Sequence, residues 1–156
     1  MTDAPSAPAA PVATPFELLG GEPGVRRLVD AFYDLMDSDP DAEGVRGLHG
    51  DDLSLSRDRL ADWLSGWLGG PQVFHARHPG RPCLMSAHHA FDIGPLETSQ
   101  WLSCMRRALE GSGAPQPLQR AMLLAFGRMS QGCGAARTQP TASSGGRPRA
   151  CLKVWW

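Results

Sequence analysis

Glycine and proline cut this chain into pieces before any other feature shapes it. Gly20-Gly21, Gly69-Gly70-Pro71, Pro79-Gly80-Arg81-Pro82, Gly111-Ser-Gly113 and Gly132-Cys-Gly134 each break the chain where an apolar pattern ends. Eighteen glycines and 14 prolines in 156 residues exclude one long uninterrupted bundle, so the expectation is a set of helices separated by sharp turns. Between the breaks, apolar residues recur at the three-and-four spacing that gives a helix one buried face.

The first such piece is announced by Thr14, Pro15 and Glu17, a capping box with proline in the first turn, and Gly20-Gly21 closes it. After Pro23, Val25, Leu28, Val29, Phe32, Leu35 and Met36 form the clearest buried stripe and predict a core helix. Tyr33, the single tyrosine, falls at the edge of that stripe, where the ring is buried and the hydroxyl seeks a partner. Residues 37–44 read as an acidic turn, and 45–52 as a loop or short helical piece containing His49. Ser54 or Ser56 is then expected to cap a helix carrying Leu60, Trp63, Leu64, Trp67 and Leu68.

Val73 and Phe74 begin a short element that includes His75 and His78, a pair without the nearby ligands that zinc sites require. From Pro95 a longer helix runs through Leu96, Trp101, Leu102, Met105 and Leu109, with Glu97 near its start and Arg106 and Arg107 further on. Pro117 opens a last helix with Leu118, Met122, Leu123, Phe126 and Met129 on its buried side.

Composition bounds the function. A chain that is 42% hydrophobic with a formal net charge of −1 has room for one core and gives no electrostatic argument for nucleic acid. Cys83, Cys104, Cys133 and Cys151 are widely spaced without a CxxC pair, which fits neither a zinc ribbon nor a disulfide framework and suits a reduced, cytoplasmic setting. The start lacks the basic and apolar regions of a signal peptide, and no segment approaches the ~20 apolar residues of a membrane span. Residues 1–13, rich in Ala and Pro, are expected to be a disordered lead-in; 14–132 the folded domain; and 133–156 a basic tail with Arg137, Arg147, Arg149 and Lys153 that ends in Val-Trp-Trp.

The stretch from Arg81 to Gly94 is the candidate for chemistry. His88 follows Leu84 by four residues and precedes Phe91 by three, so a short helix here presents aliphatic, imidazole and aromatic groups on one face. Such a face suits the underside of a flat, apolar cofactor, with the imidazole as iron ligand.

The elements also follow a recognisable order: the Gly-Gly break after the first helix, Phe32-Tyr33, Trp-Leu-Ser-Gly-Trp-Leu-Gly-Gly-Pro ending at Pro71, His88, Phe91-Asp-Ile-Gly94, and Gln-Trp-Leu-Ser-Cys-Met at 100–105. In this order, across about residues 15–132, the chain resembles the truncated haemoglobins, and Trp101 points to their group II branch. The resemblance implies an all-α fold, a two-on-two helical sandwich around haem b, with His88 as the proximal iron ligand. It implies Tyr33, His49 and Trp101 as the distal residues beside a bound gas, Phe32, Ser56, Leu60, Trp63, Leu84 and Phe91 as haem-pocket residues, and Arg59 as a propionate contact. The chain departs from the family where Met85 and Ala87 stand at positions that often carry Arg or Lys, and where Phe74 replaces a common tyrosine, leaving Arg77 and Arg81 as further propionate candidates. His89 adjoins the proposed ligand; the spacing to Phe91-Asp-Ile-Gly94 favours His88.

The implied ligands are O2, CO, nitric oxide or peroxide. Tyr33 and Trp101 can donate hydrogen bonds to bound O2, and His49 can donate or hold Tyr33 in place. Slow release suits ligand chemistry, either nitric oxide detoxification or a peroxidase-like reaction supplied by an external reductase, because the chain has no flavin or nicotinamide fingerprint. The competing readings are an O2 store or carrier, a gas sensor that uses its tail, and a helical scaffold without cofactor. A monomer or homodimer is expected.

Overall fold

The structure, a computed structural model, describes residues 12–80, 88 and 91–134, with side chains to 131 in the last helix. The expectations for Leu84, Met85, Ala87, Arg81, Cys83, His89 and the tail lie outside the described residues, as does nearly all of the lead-in.

Helix α1, Pro15–Leu18, forms as its capping box predicts: the Glu17 N–H donates to Thr14 Oγ1 at 3.2 Å, and the Thr14 N–H donates to Glu17 Oε2 at 2.8 Å. The Phe16 N–H donates to the Leu68 carbonyl at 2.9 Å, which docks this turn on the end of a later helix. Gly20 turns the chain with φ of 100°, a conformation open to glycine. Helix α2 then spans Gly21–Ser38. It starts two residues ahead of Pro23, because proline in a first turn gives up an N–H that would have no helical partner anyway. Gly24 is required by contact, since a Cβ there would lie 1.9 Å from the Leu19 carbonyl oxygen.

The stripe on α2 is buried as its spacing predicts: Val25, Leu28, Val29, Phe32, Tyr33 and Met36 are each at most 1% exposed. Tyr33, expected at the edge, is wholly enclosed. A 3-10 turn at Pro40–Ala42 leads into α3, Glu43–Gly47, and the chain reaches His49 through a loop held by Arg46. The Arg46 guanidinium donates to Asp37 and to the carbonyls of Gly50 and Asp51.

Helix α4 spans Ser54–Trp67. Neither serine caps it: Asp52 accepts the Ser54 N–H at 2.9 Å, while Ser56 is buried in the second turn. A carboxylate two residues upstream reaches that N–H through a local Asx turn, which displaces the serine. Helix α5, Phe74–Arg77, is one turn long and is tied to α4 by Asp62, a buried carboxylate that accepts from Arg77 at 2.7 Å and pairs with His78 Nε2 at 2.9 Å. That contact accounts for His78 without a metal.

Helix α6, Pro95–Gly111, begins with Glu97 capping the Gly94 N–H at 2.8 Å, and α7 spans Gln116–Gly134. Helix α2 packs against both α4 and α6, and α6 packs on α7, so two helix pairs meet across α2 and α6. Helix α3 lies against α6, pinned where the Val45 N–H donates to Gln100 Oε1 at 2.8 Å. One buried cluster draws on α2, α3, α4, α6 and α7, with Phe16 of α1 packed against it, and no helix among the described residues is long and apolar enough to cross a membrane.

Candidate functional site

One cavity gathers most of the chemistry-bearing side chains. Val45, Leu48 and His49 wall it from α3 and the following turn, Leu60 and Trp63 from α4, and Glu97, Thr98 and Trp101 from the first turns of α6. Phe126, Met129 and Ser130 come from α7, and His88 and Ile93 complete the lining. Its surface is overwhelmingly apolar, with a few polar groups converging on it.

His88 is helical and half-buried, and its carbonyl accepts the Phe91 N–H at 3.1 Å. Phe91 is half-buried close by without lining the cavity. His49 is 9% exposed, and its Nδ1 lies 2.9 Å from the Val45 carbonyl oxygen. A carbonyl can only accept, so the ring carries its hydrogen on Nδ1, and in the neutral form Nε2 is an acceptor. Burial pulls the His49 pKa down to about 4, with Arg46 and His88 pushing the same way against the Val45 hydrogen bond. At neutral pH this imidazole therefore offers an acceptor, which favours holding a hydroxyl over donating to a ligand.

Tyr33 and Phe32 stand behind this wall. The Tyr33 ring meets His49 edge to face at 5.7 Å and Phe32 at 4.9 Å, and Phe32 meets Trp101 at 5.0 Å. The Tyr33 hydroxyl is buried and has no hydrogen-bond partner among the described residues; the neighbouring Ser56 hydroxyl, also buried, is close enough to ease ionisation of the phenol but makes no bond of ordinary geometry. Burial dominates and raises the Tyr33 pKa far above the usual phenol range, partly opposed by Arg57 and Arg59. The phenol thus keeps its proton. Trp101 continues an aromatic chain through Phe126 at 5.3 Å to Trp67 at 5.1 Å, which stacks on Trp63.

Of the residues singled out from sequence, His49, Leu60, Trp63, His88 and Trp101 share the cavity wall, while Phe32, Tyr33 and Ser56 form a buried layer next to it. Arg59 is half-buried, next to Leu60 in sequence, and does not line the cavity. Thr98 and Ser130 belong to the wall although no sequence pattern marks them, and Phe126 and Met129, core residues by their spacing, line it as well. Glu97 was legible as a first-turn acid, and that same turn brings it to the cavity. These groups fit a haem: an imidazole on an apolar wall, two neighbouring aromatic rings, and a buried hydroxyl still lacking an acceptor or donor. Among the described residues no cluster of His, Cys, Asp and Glu could hold a bare metal ion.

Comparison with known proteins agrees with this arrangement. The family model described as bacterial-like globin matches residues 14–133. The group 2 truncated hemoglobin YjbI of Bacillus subtilis (strain 168) is 30% identical over 115 residues, covering 74% of this chain and 81% of that protein. Among solved structures, the group II 2-on-2 hemoglobin of Agrobacterium tumefaciens superposes with a TM-score of 0.74 at 36% identity, covering 80% of this chain and 96% of that one. The truncated oxygen-avid haemoglobin of Bacillus subtilis gives a TM-score of 0.63 at 28% identity over 79% of this chain and 98% of its own. Two helix pairs meeting across α2 and α6, with an imidazole and an indole on one apolar cavity, are thus the two-on-two sandwich of a known lineage, and the chain belongs to the bacterial-like globins as a group II truncated haemoglobin.

Proposed function

We propose that this globin binds haem b through His88 and holds O2 or another diatomic ligand tightly enough for chemistry on it, in preference to bulk delivery. The observation that carries the reading is the meeting of His88, His49 and Trp101 on one apolar cavity, backed by the buried Tyr33 hydroxyl. Haem held by one imidazole supplies an iron with an open position for O2, CO, nitric oxide or peroxide. Everything else in the proposal concerns what the chain's own residues do.

Trp101 donates its indole N–H toward the ligand, and Tyr33, protonated at every physiological pH, donates its hydroxyl. His49, neutral with its hydrogen on Nδ1, meets the Tyr33 ring edge to face and keeps the ring oriented, leaving the phenol hydrogen for the ligand. Leu60, Trp63 and Phe126 exclude the water that promotes oxidation. Two donors of about 1 kcal/mol each slow ligand escape by roughly thirtyfold. Arg59 is the candidate for a propionate. The oxygen-avid character of the Bacillus subtilis neighbour supports the tight-holding reading. With O2 retained, the reaction class that follows is oxidation of nitric oxide to nitrate, with an external reductase returning the oxidised haem to the ferrous state; with peroxide as oxidant in place of O2, the same donors would serve a peroxidase-like reaction that draws its electrons from an external reductant. The cysteine pattern supports a cytoplasmic location, and residues 14–132 are the unit to which the function is assigned.

The test is the visible spectrum of the protein with haemin, oxidised, reduced and under CO, for wild type and His88→Ala. The expected outcome is a reduced CO complex of proximal-histidine type that the substitution abolishes. Haem uptake indifferent to His88 would overturn the assignment. Nitrate formation from nitric oxide no faster than with free haem would remove the dioxygenase reading.

A further inference from the structure

Arg57 sits on α4, one residue beyond Ser56, and makes contacts that no neighbour on its own helix supplies. Its Nη1 donates to the Asp30 carbonyl oxygen at 2.9 Å and to Asp30 Oδ1 at 3.3 Å, and its Nη2 donates to Asp34 Oδ1 at 2.7 Å. Both acceptors lie on α2, three residues before and one residue after Tyr33. Between them the guanidinium carbon stands 5.6 Å from the centre of the Tyr33 ring. A planar fork anchored at both ends therefore covers the phenol where α2 faces α4.

The arrangement is specific to the tyrosine. Arg26 to Asp58 also bridges α2 and α4, but its side chains are 41% and 56% exposed. The Arg57 side chain is 22% exposed, and although burial works against its charge, Asp34 and Asp30 outweigh that and raise its pKa. A fixed cation at a ring face attracts the ring, and near a phenol it polarises the O–H toward donation.

We propose that Arg57 is a positioning residue for Tyr33, clamping α2 to α4 over the phenol so that the ring is fixed and its hydroxyl is a stronger hydrogen-bond donor. The consequence for ligand retention rests on the function proposed above; the fixing of the ring does not. Arg57 does not line the cavity, so its effect on a ligand there is routed through the ring it covers.

The single tyrosine makes the test clean. Growth on 3-fluorotyrosine gives full-length protein with one fluorine-labelled residue, whose NMR line reports the Tyr33 ring with or without haem. In Arg57→Met the line should broaden and move toward its position in the urea-unfolded chain. Asp34→Asn, which alters one exposed anchor and leaves the fold intact, should move it part of the way, and Arg57→Lys should not restore it. In haem-loaded protein, Arg57→Met should speed O2 dissociation by about fivefold, the size of one weakened hydrogen bond. The same substitution in a Tyr33→Phe background should change the rate no further. An unmoved fluorine line in folded Arg57→Met, or an equal rate increase in the Tyr33→Phe background, overturns the clamp. If wild type takes up no haem, the proposed function falls and the fluorine line alone decides the role of Arg57.

Discussion

Tyr33 carries a cost that the proposed contact with a ligand would explain. A buried hydroxyl without a partner destabilises a fold by about 1–3 kcal/mol, and this one is wholly enclosed in the core. Tyr33→Phe should therefore stabilise the haem-free protein by about 1 kcal/mol in urea unfolding, while O2 leaves the haem-loaded variant several times faster. A purely structural tyrosine would show no such opposition. His49 gives the pH dependence. Unfolded, its ring titrates near 6.5; folded, burial holds it at about 4. Its contribution is thus full above about pH 6.5 and is lost as pH falls toward 4, where the unfolded chain takes up a proton that the folded one refuses. The loss amounts to roughly 3 kcal/mol, and His49→Gln should flatten the wild-type curve of urea midpoint against pH over that window. Sequence placed Tyr33 at the edge of its stripe. It could not show complete burial, because Arg57 and His49, which come to lie against the ring, are distant from it in sequence.

At the scale of elements, the helices were legible where spacing alone decides. The α2 stripe and the capping box at Thr14 are local patterns, and both are present as read. The start of α4 was not, because Asp52 and two serines all offer N-terminal oxygens and only the turn geometry selects among them. Asp62 was likewise unremarkable in sequence, since its partners Arg77 and His78 reach it only after the chain folds back past Pro71. Gly24 sets a sharper test of what packs against what. Helix propensity favours Gly24→Ala by ~1 kcal/mol, yet the new Cβ would fall 1.9 Å from backbone at Leu19. Contact should win, with a loss of about 2 kcal/mol in thermal or urea unfolding. A stabilised Gly24→Ala would mean that α1 sits further from α2 than described.

For the whole molecule, the cavity lies between elements that also make the core, so occupation by haem and folding are linked equilibria. Haem bound far above its dissociation constant should raise the melting temperature by several degrees, and His88→Ala should remove most of that rise. Removing residues 135–156 should leave both the spectrum and the rise unchanged, since the family match ends at 133. The site was legible in part because His88, His49 and Trp101 keep a characteristic order along the chain. Thr98 and Ser130 were not, because small polar residues acquire meaning only from the wall they complete. Helix α2 joins both halves of the sandwich and also carries Phe32 and Tyr33, the rings next to the cavity, so on the proposed function the same helix answers for the joint and for the ligand. Descendants of this sequence are then unequally free to vary. A new ligand preference arising on α2 disturbs the joint, whereas one arising at Leu48, Thr98 or Ser130 reshapes the cavity at little cost, and divergence should accumulate there.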